Sequence, residues 1–182
     1  MRLEKPRVAP LPVDEIPDEI RERLGEQPVL NIFCTLARHP KLMKRWLQFA
    51  THVLGPGSTL PAREREIVIL RIGWLCRSGY EWGQHVVIGR VAGLEDAEIA
   101  RIADGPDAPG WSELGRALLR ATDELHADAF VSDATWAALA AHWSDEQCMD
   151  FVFTVGQYNL VSMALNTLGV QPEHGLPRLP ER

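Results

Sequence analysis

Between two proline-bearing ends, apolar residues return along this chain every three or four positions, the period of a helix with one buried face. The pattern predicts helices over Glu15 to Leu24, stopped at Gly25, then over Asn31 to His39 and Lys41 to Val53. Pro40 parts the last two, because proline cannot continue a helix interior. Gly55-Pro-Gly-Ser-Thr reads as a loop, with Ser58 or Thr59 placed to cap the next helix. In residues 61–76 the apolar side chains surround the axis, so this helix is expected to be buried, either in the core or in a subunit interface. Ile67 to Ile72 also suits a buried strand, but no second strand candidate exists to pair with it.

Ser78-Gly-Tyr-Glu81 restarts the chain as a helix running to about Ala92 and stopped by Gly93. Asp96 to Ala103, Ser112 to Asp128 and Ser132 to His142 follow as three further helices. Ser144-Asp-Glu-Gln147 has capping-box spacing and opens a long apolar helix to Leu168, closed by Gly169. The fold class is all-α: a single-domain helical bundle.

Residues 1–13 carry three prolines and read as an extended arm; 14–170 form the helical core; 171–182 form a second proline-containing tail. Such ends either stay loose or wrap a neighbouring subunit. A length of 182 residues suits one domain with a real core. The net charge of −6, with arginines scattered rather than gathered in a stripe, argues against nucleic acid or anionic membrane as the main partner. No apolar run is long enough to span a bilayer, and the N-terminus lacks the apolar stretch of a secretory signal. Cys34, Cys76 and Cys148 are an odd set without short pair spacing, expected as reduced thiols in a cytoplasm.

The densest chemistry lies between Glu66 and His85. Glu81 and His85 are four apart, one turn from each other on one helix face. A carboxylate beside an imidazole fixes the ring tautomer, the usual support of a general base. Glu66 sits one helix earlier and meets them if the two helices are antiparallel neighbours. Two carboxylates that close do not both ionise freely. A plainer reading stands beside this one: Glu81 closes a capping box with Ser78, and Glu66 suits the positive end of its helix. Asp123 and His126 share a helix face, as a helix-surface pair, a pocket-lining histidine or half of a metal site whose second half is missing. Tyr158-Asn159 are polar within an apolar helix and border a pocket or need partners. Trp46, Trp74, Trp82 and Trp136 read first as core.

Arg63-Glu-Arg-Glu-Ile67 with Ile69-Leu-Arg, then Tyr80-Glu-Trp-Gly-Gln-His85, resembles the carboxymuconolactone decarboxylase family. The resemblance continues through Gly93-Leu, Asp123-Glu-Leu-His126, Ser132-Asp-Ala-Thr-Trp136 and Gly156-Gln-Tyr-Asn159, over roughly residues 30–170. In the related alkylhydroperoxidase D branch a Cys-x-x-Cys pair precedes the histidine; here those positions hold Ser78 and Glu81. A dithiol cycle needs both thiols, so the resemblance implies the branch that works without them. It implies a cofactor-free, metal-free lyase acting on a small carboxylated lactone or related carbonyl compound, by decarboxylation or proton-transfer isomerisation. Glu66, Glu81 and His85 would be catalytic, with Glu81 orienting His85, and Tyr80, Trp82, Trp46, His126 and Tyr158 would bind substrate. An anionic substrate wants a cation, with Arg71 or Arg77 the candidates. The family implies a homo-oligomer. The competing readings are a peroxidase working through Cys76 alone and a non-catalytic oligomeric binding protein.

Overall fold

The computed structural model describes residues 2–24 and 29–181, and among them every regular element is helical. After a 3₁₀ turn at Val13–Glu15 come α1 (Asp18–Leu24), α2 (Asn31–Leu36), α3 (Pro40–Leu54), α4 (Ala62–Leu75), α5 (Gly79–Val91), α6 (Asp96–Asp104), α7 (Glu113–Asp128), α8 (Asp133–Ala140) and α9 (Asp145–Leu168). Among the described residues, no helix is long and apolar enough to cross a membrane.

The helix that is apolar all round sits at the centre. α5, α6, α7 and α9 all pack on α4, and its residues from Glu66 to Gly73 are buried without help from another subunit. Val68, Ile69 and Ile72 meet Leu118 and Ala121 of α7 and Phe151 and Val155 of α9. Ile67 and Leu70 face Trp82 and Val86 of α5 and Ile102 of α6. Of the two burial sites open to α4, the core is the one observed, and the strand alternative for Ile67 to Ile72 falls.

Local signals acted largely where the pattern puts them. Ser144 and Gln147 form the reciprocal capping box that starts α9, and Gly169 ends it at φ 74°, a conformation glycine adopts without strain. Pro40 does more than separate two helices: it opens α3, where its missing N–H costs nothing, and His39 caps Leu42 N. The single helix expected over Glu15 to Leu24 is split at Pro17 into a 3₁₀ turn and α1; Gly25, its expected stop, lies outside the described residues. Neither Ser58 nor Thr59 caps α4, whose N-cap is Pro61. Thr59 instead donates its N–H and hydroxyl to Asp150 Oδ2 at 2.7 and 2.8 Å, tying the α3–α4 loop to α9.

Both ends lie on their own chain. Arg7 N and Val8 N donate to Leu168 O, and Gln171 Nε2 donates to Leu3 O. Glu173 accepts from Asn31 N at 2.7 Å and from the Tyr80 hydroxyl at 3.0 Å, so the C-terminal tail clasps α2 and α5.

Candidate active site

α4 and α5 approach closely where Gly73 faces Glu81: a Cβ on Gly73 would come within 2.8 Å of Glu81 Oε1. The approach lets Glu66 of α4 reach across to α5. Glu66 is fully buried, and its Oε2 lies 2.7 Å from His85 Nδ1. Arg65 Nε stands 3.7 Å from the other oxygen, and no hydrogen bond reaches that Oε1. With Nδ1 engaged, Nε2 is the ring nitrogen left without a described protein partner, and His85 is on a cavity wall. Tyr158 packs edge-on against the imidazole with ring centres 4.8 Å apart, fixing the ring plane from the α9 side.

Glu81 does not hold His85. Its Oε2 accepts from the Ser162 hydroxyl of α9 at 2.9 Å, and Oε1 lies against Gly73 without a hydrogen bond. Burial drives its pKa well above the ordinary carboxylate value, the Ser162 bond opposing only in part. Burial therefore favours the neutral acid over the carboxylate. The orienting role expected of Glu81 passes to Glu66, because a partner on the facing helix meets Nδ1 while Ser162 occupies the carboxyl one turn away. The plainer reading of Glu81 as a helix cap also falls, since Ser78 makes no side-chain cap bond.

The cavity measures about 330 Å³ and opens between α2, α3, α5 and α9, within the usual range for small-molecule sites. Trp46, Tyr80, Glu81, His85 and Tyr158 all line it, and Glu66 stands behind His85. Trp82 and His126 lie elsewhere. Trp82, turned about 100° from Glu81 around α5, is 2% exposed and packs with Ile67 and Leu70. His126 is on the exposed last turn of α7, 3.8 Å from Cys76 Sγ. Trp46 borders both this cavity and a smaller apolar one of about 160 Å³. The Tyr80 hydroxyl is already engaged, donating to Glu173 and accepting from Ile32 N; burial and then the Glu173 charge push its pKa up.

Sequence reasoning missed Gln157, Ser162 and Gln84. Gln157 and Gln84 line the cavity and Ser162 holds Glu81. The signal for Gln157 was present: an amide in the middle of a long apolar helix, one residue before Tyr158.

The candidate cations are not on the cavity wall. Arg71 forks onto Asp123 at 2.6 and 2.8 Å and donates to Ile102 O and Ala103 O, which fixes α4 to α6 and α7. Arg77 is exposed on the α4–α5 turn. Cys76 also lies off the wall; its thiol donates to Asn159 Oδ1 at 3.1 Å. Burial, and then Glu81 in its ionised form, raise that thiol to about 11, so it is a poor source of thiolate at neutral pH. Among the described residues no cluster of three or more His, Cys, Asp or Glu is arranged to hold a metal.

Residues 40–124 match the carboxymuconolactone decarboxylase family. The matched segment runs from α3 into α7 and contains Glu66, Glu81 and His85. Solved structures give the fold over nearly the whole chain. An uncharacterised peroxidase-related protein from Silicibacter sp. TM1040 superposes with a TM-score of 0.79 at 18% identity, covering 96% of this chain and 95% of the other. The alkylhydroperoxidase AhpD core protein from Ralstonia eutropha JMP134 gives 0.73 at 24% identity, covering 92% and 93%. The debrominase Bmp8, in complex with 2,3,4-tribromopyrrole, gives 0.75 at 14% identity, covering 94% of each chain. The fold is therefore AhpD-like. No curated protein matches the chain.

Proposed function

We propose that this chain is an acid–base enzyme that moves a proton on a small carbonyl or lactone compound using its own side chains. The observation that carries this reading is the buried Glu66–His85 pair, which sets His85 on the wall of an apolar cavity one helical turn from Glu81, whose burial favours its neutral form. Glu66 holds Nδ1 and leaves Nε2 to take a proton from the carbon next to the carbonyl. The electrons pass into an enolate, and Glu81 returns a proton to carbon further along the conjugated system. In a decarboxylation the departing carbon dioxide replaces the first step, and the same acid protonates the enolate. Pairing a base with a carboxyl kept neutral by burial is a general way to run both halves of such chemistry at neutral pH.

The family match over residues 40–124 supports a lyase or isomerase of this kind. The Bmp8 complex supports a small flat ring as the ligand shape, since that neighbour of the same fold binds a substituted pyrrole. Reduction of peroxides through Cys76 finds less support, because the thiol is off the cavity and held protonated.

The test is turnover by pure protein of two compounds: 4-carboxymuconolactone, followed by carbon dioxide release, and a β,γ-unsaturated butenolide, followed by its conversion to the conjugated isomer. At least one should turn over, and His85→Gln should lose roughly 100-fold or more. Turnover of neither compound above buffer, or an unaffected variant, would refute the assignment.

A further inference from the structure

The polar groups around the cavity divide into those already engaged and those left over. Tyr80 and Gln84 both donate to Glu173 of the C-terminal tail, and Glu81 is bonded to Ser162. Two side chains on the α9 wall have no such partner. Gln157 and Tyr158 are each 5% exposed, yet neither the Gln157 amide nor the Tyr158 hydroxyl makes a hydrogen bond to any described residue. Val161 and Leu165 continue the same wall, which keeps the amide and the hydroxyl against an apolar surface. Neither group is among the fully enclosed unpaired atoms, so two unpaired polar side chains on one cavity wall mark a place for ligand acceptors or donors.

The charge of that ligand follows from the same wall. Among the described residues no lysine or arginine lines the cavity, while Glu81 and His85 do. Arg71 is consumed by Asp123 and two carbonyls, and Arg65 lies beside Glu66 behind the imidazole. A carboxylate brought into this space would be desolvated with no described lysine or arginine to meet it, beside a second carboxyl group. A carbonyl oxygen meets two neutral donors.

Resting on the reading of this cavity as the substrate site, we propose that it selects an uncharged cyclic carbonyl compound, a neutral lactone or cyclic enone, over a carboxylated one, with the Gln157 amide and Tyr158 hydroxyl holding its carbonyl oxygen. Tyr158 also packs on the His85 ring, so an oxygen held there brings the neighbouring carbon toward His85. Gln157 and Tyr158 are in this account positioning groups that also receive the charge developing on the oxygen.

Calorimetric titration of the full chain at pH 7 tests the proposal with two probes: γ-methylbutenolide, and the same ring carrying a carboxymethyl group. The uncharged probe should bind at least about tenfold more tightly, and Gln157→Leu should weaken it by about tenfold, the worth of one lost hydrogen bond. Tyr158→Phe, which removes only the hydroxyl, should weaken it similarly, and Gln157→Arg should turn the preference toward the carboxylated ring. Equal or tighter binding of the carboxylated probe by the parent overturns the proposal, as does unaltered binding in both Gln157→Leu and Tyr158→Phe. Binding needs no turnover. A parent that binds the neutral ring but moves no proton would refute the enzymatic reading alone.

Discussion

Glu66 Oε2 and His85 Nδ1 stand 2.7 Å apart across the α4–α5 crossing, the carboxylate wholly buried and the imidazole on the cavity wall. The pair makes the tautomer of His85 a property of α4 rather than of its own helix. Glu66→Gln should therefore cost more in rate than in stability. An amide can turn its NH₂ toward Nδ1 and so favour the wrong tautomer, lowering kcat/KM by roughly 10²–10⁴-fold. Glu66→Ala should in addition cost about 1–3 kcal/mol by leaving Nδ1 buried without a partner. Steady-state kinetics and urea unfolding separate the two effects; parent-like turnover in Glu66→Gln would contradict the role given to Glu66.

Glu81 makes stability depend on pH in a direction opposite to most acidic residues. Its folded-state pKa is raised above the ordinary value of 4.5 by burial, so the folded protein holds this proton more tightly than the unfolded chain does. The resulting stability is complete below the ordinary value and is lost as pH climbs through the raised one. Glu81→Gln removes the titration, so its urea midpoint should fall less than the parent's between pH 5 and pH 9. Parallel curves for the two proteins would show that Glu81 is not a neutral acid in the folded state.

Much of this was legible in the sequence because the helices are announced locally. Ser144 and Gln147 cap α9 through groups three residues apart, and the all-round apolar run in α4 could be buried only at a centre or an interface. Glu66, Glu81 and His85 were legible as a group for the same reason, being ionisable residues attached to that buried run. Their pairing was not. Spacing on α5 puts Glu81 beside His85, whereas the choice between Glu66 and Glu81 depends on how closely Gly73 lets the two helices approach and on Ser162 arriving from α9, some 80 residues later. Trp82 and His126 were misplaced on equal grounds: nothing local says which side of α5 faces the cavity, or that α7 packs on α4 away from it.

The closeness at Gly73 yields a prediction of its own. On helix propensity alone Gly73→Ala should stabilise α4 by about 1 kcal/mol. The new Cβ would press on Glu81 Oε1 at 2.8 Å, and Glu81 is buried and tied to Ser162, with little room to withdraw. Overpacking of this kind costs about 1–3 kcal/mol, so the variant should be about 1 kcal/mol less stable and lose most of its activity. A variant more stable than the parent with full turnover would show that Glu81 can move freely.

Cys76 should be dispensable. A thiol raised to about 11 stays protonated near pH 7, and its hydrogen bond to Asn159 holds it off the cavity. Cys76→Ser should keep turnover, and the parent should take up a disulfide reagent at pH 7 no faster than the variant. Rapid labelling that vanishes with Cys76→Ser would revive the thiol-peroxidase reading.

The most direct test of the proton-transfer account needs no knowledge of the natural substrate. In D₂O, the parent protein should speed deuterium uptake at the carbon beside the carbonyl of γ-methylbutenolide, followed by proton NMR, and His85→Gln should lose roughly 100-fold or more of that acceleration. Uptake no faster than in buffer, or equally fast in His85→Gln, would contradict the assignment of His85 as the base.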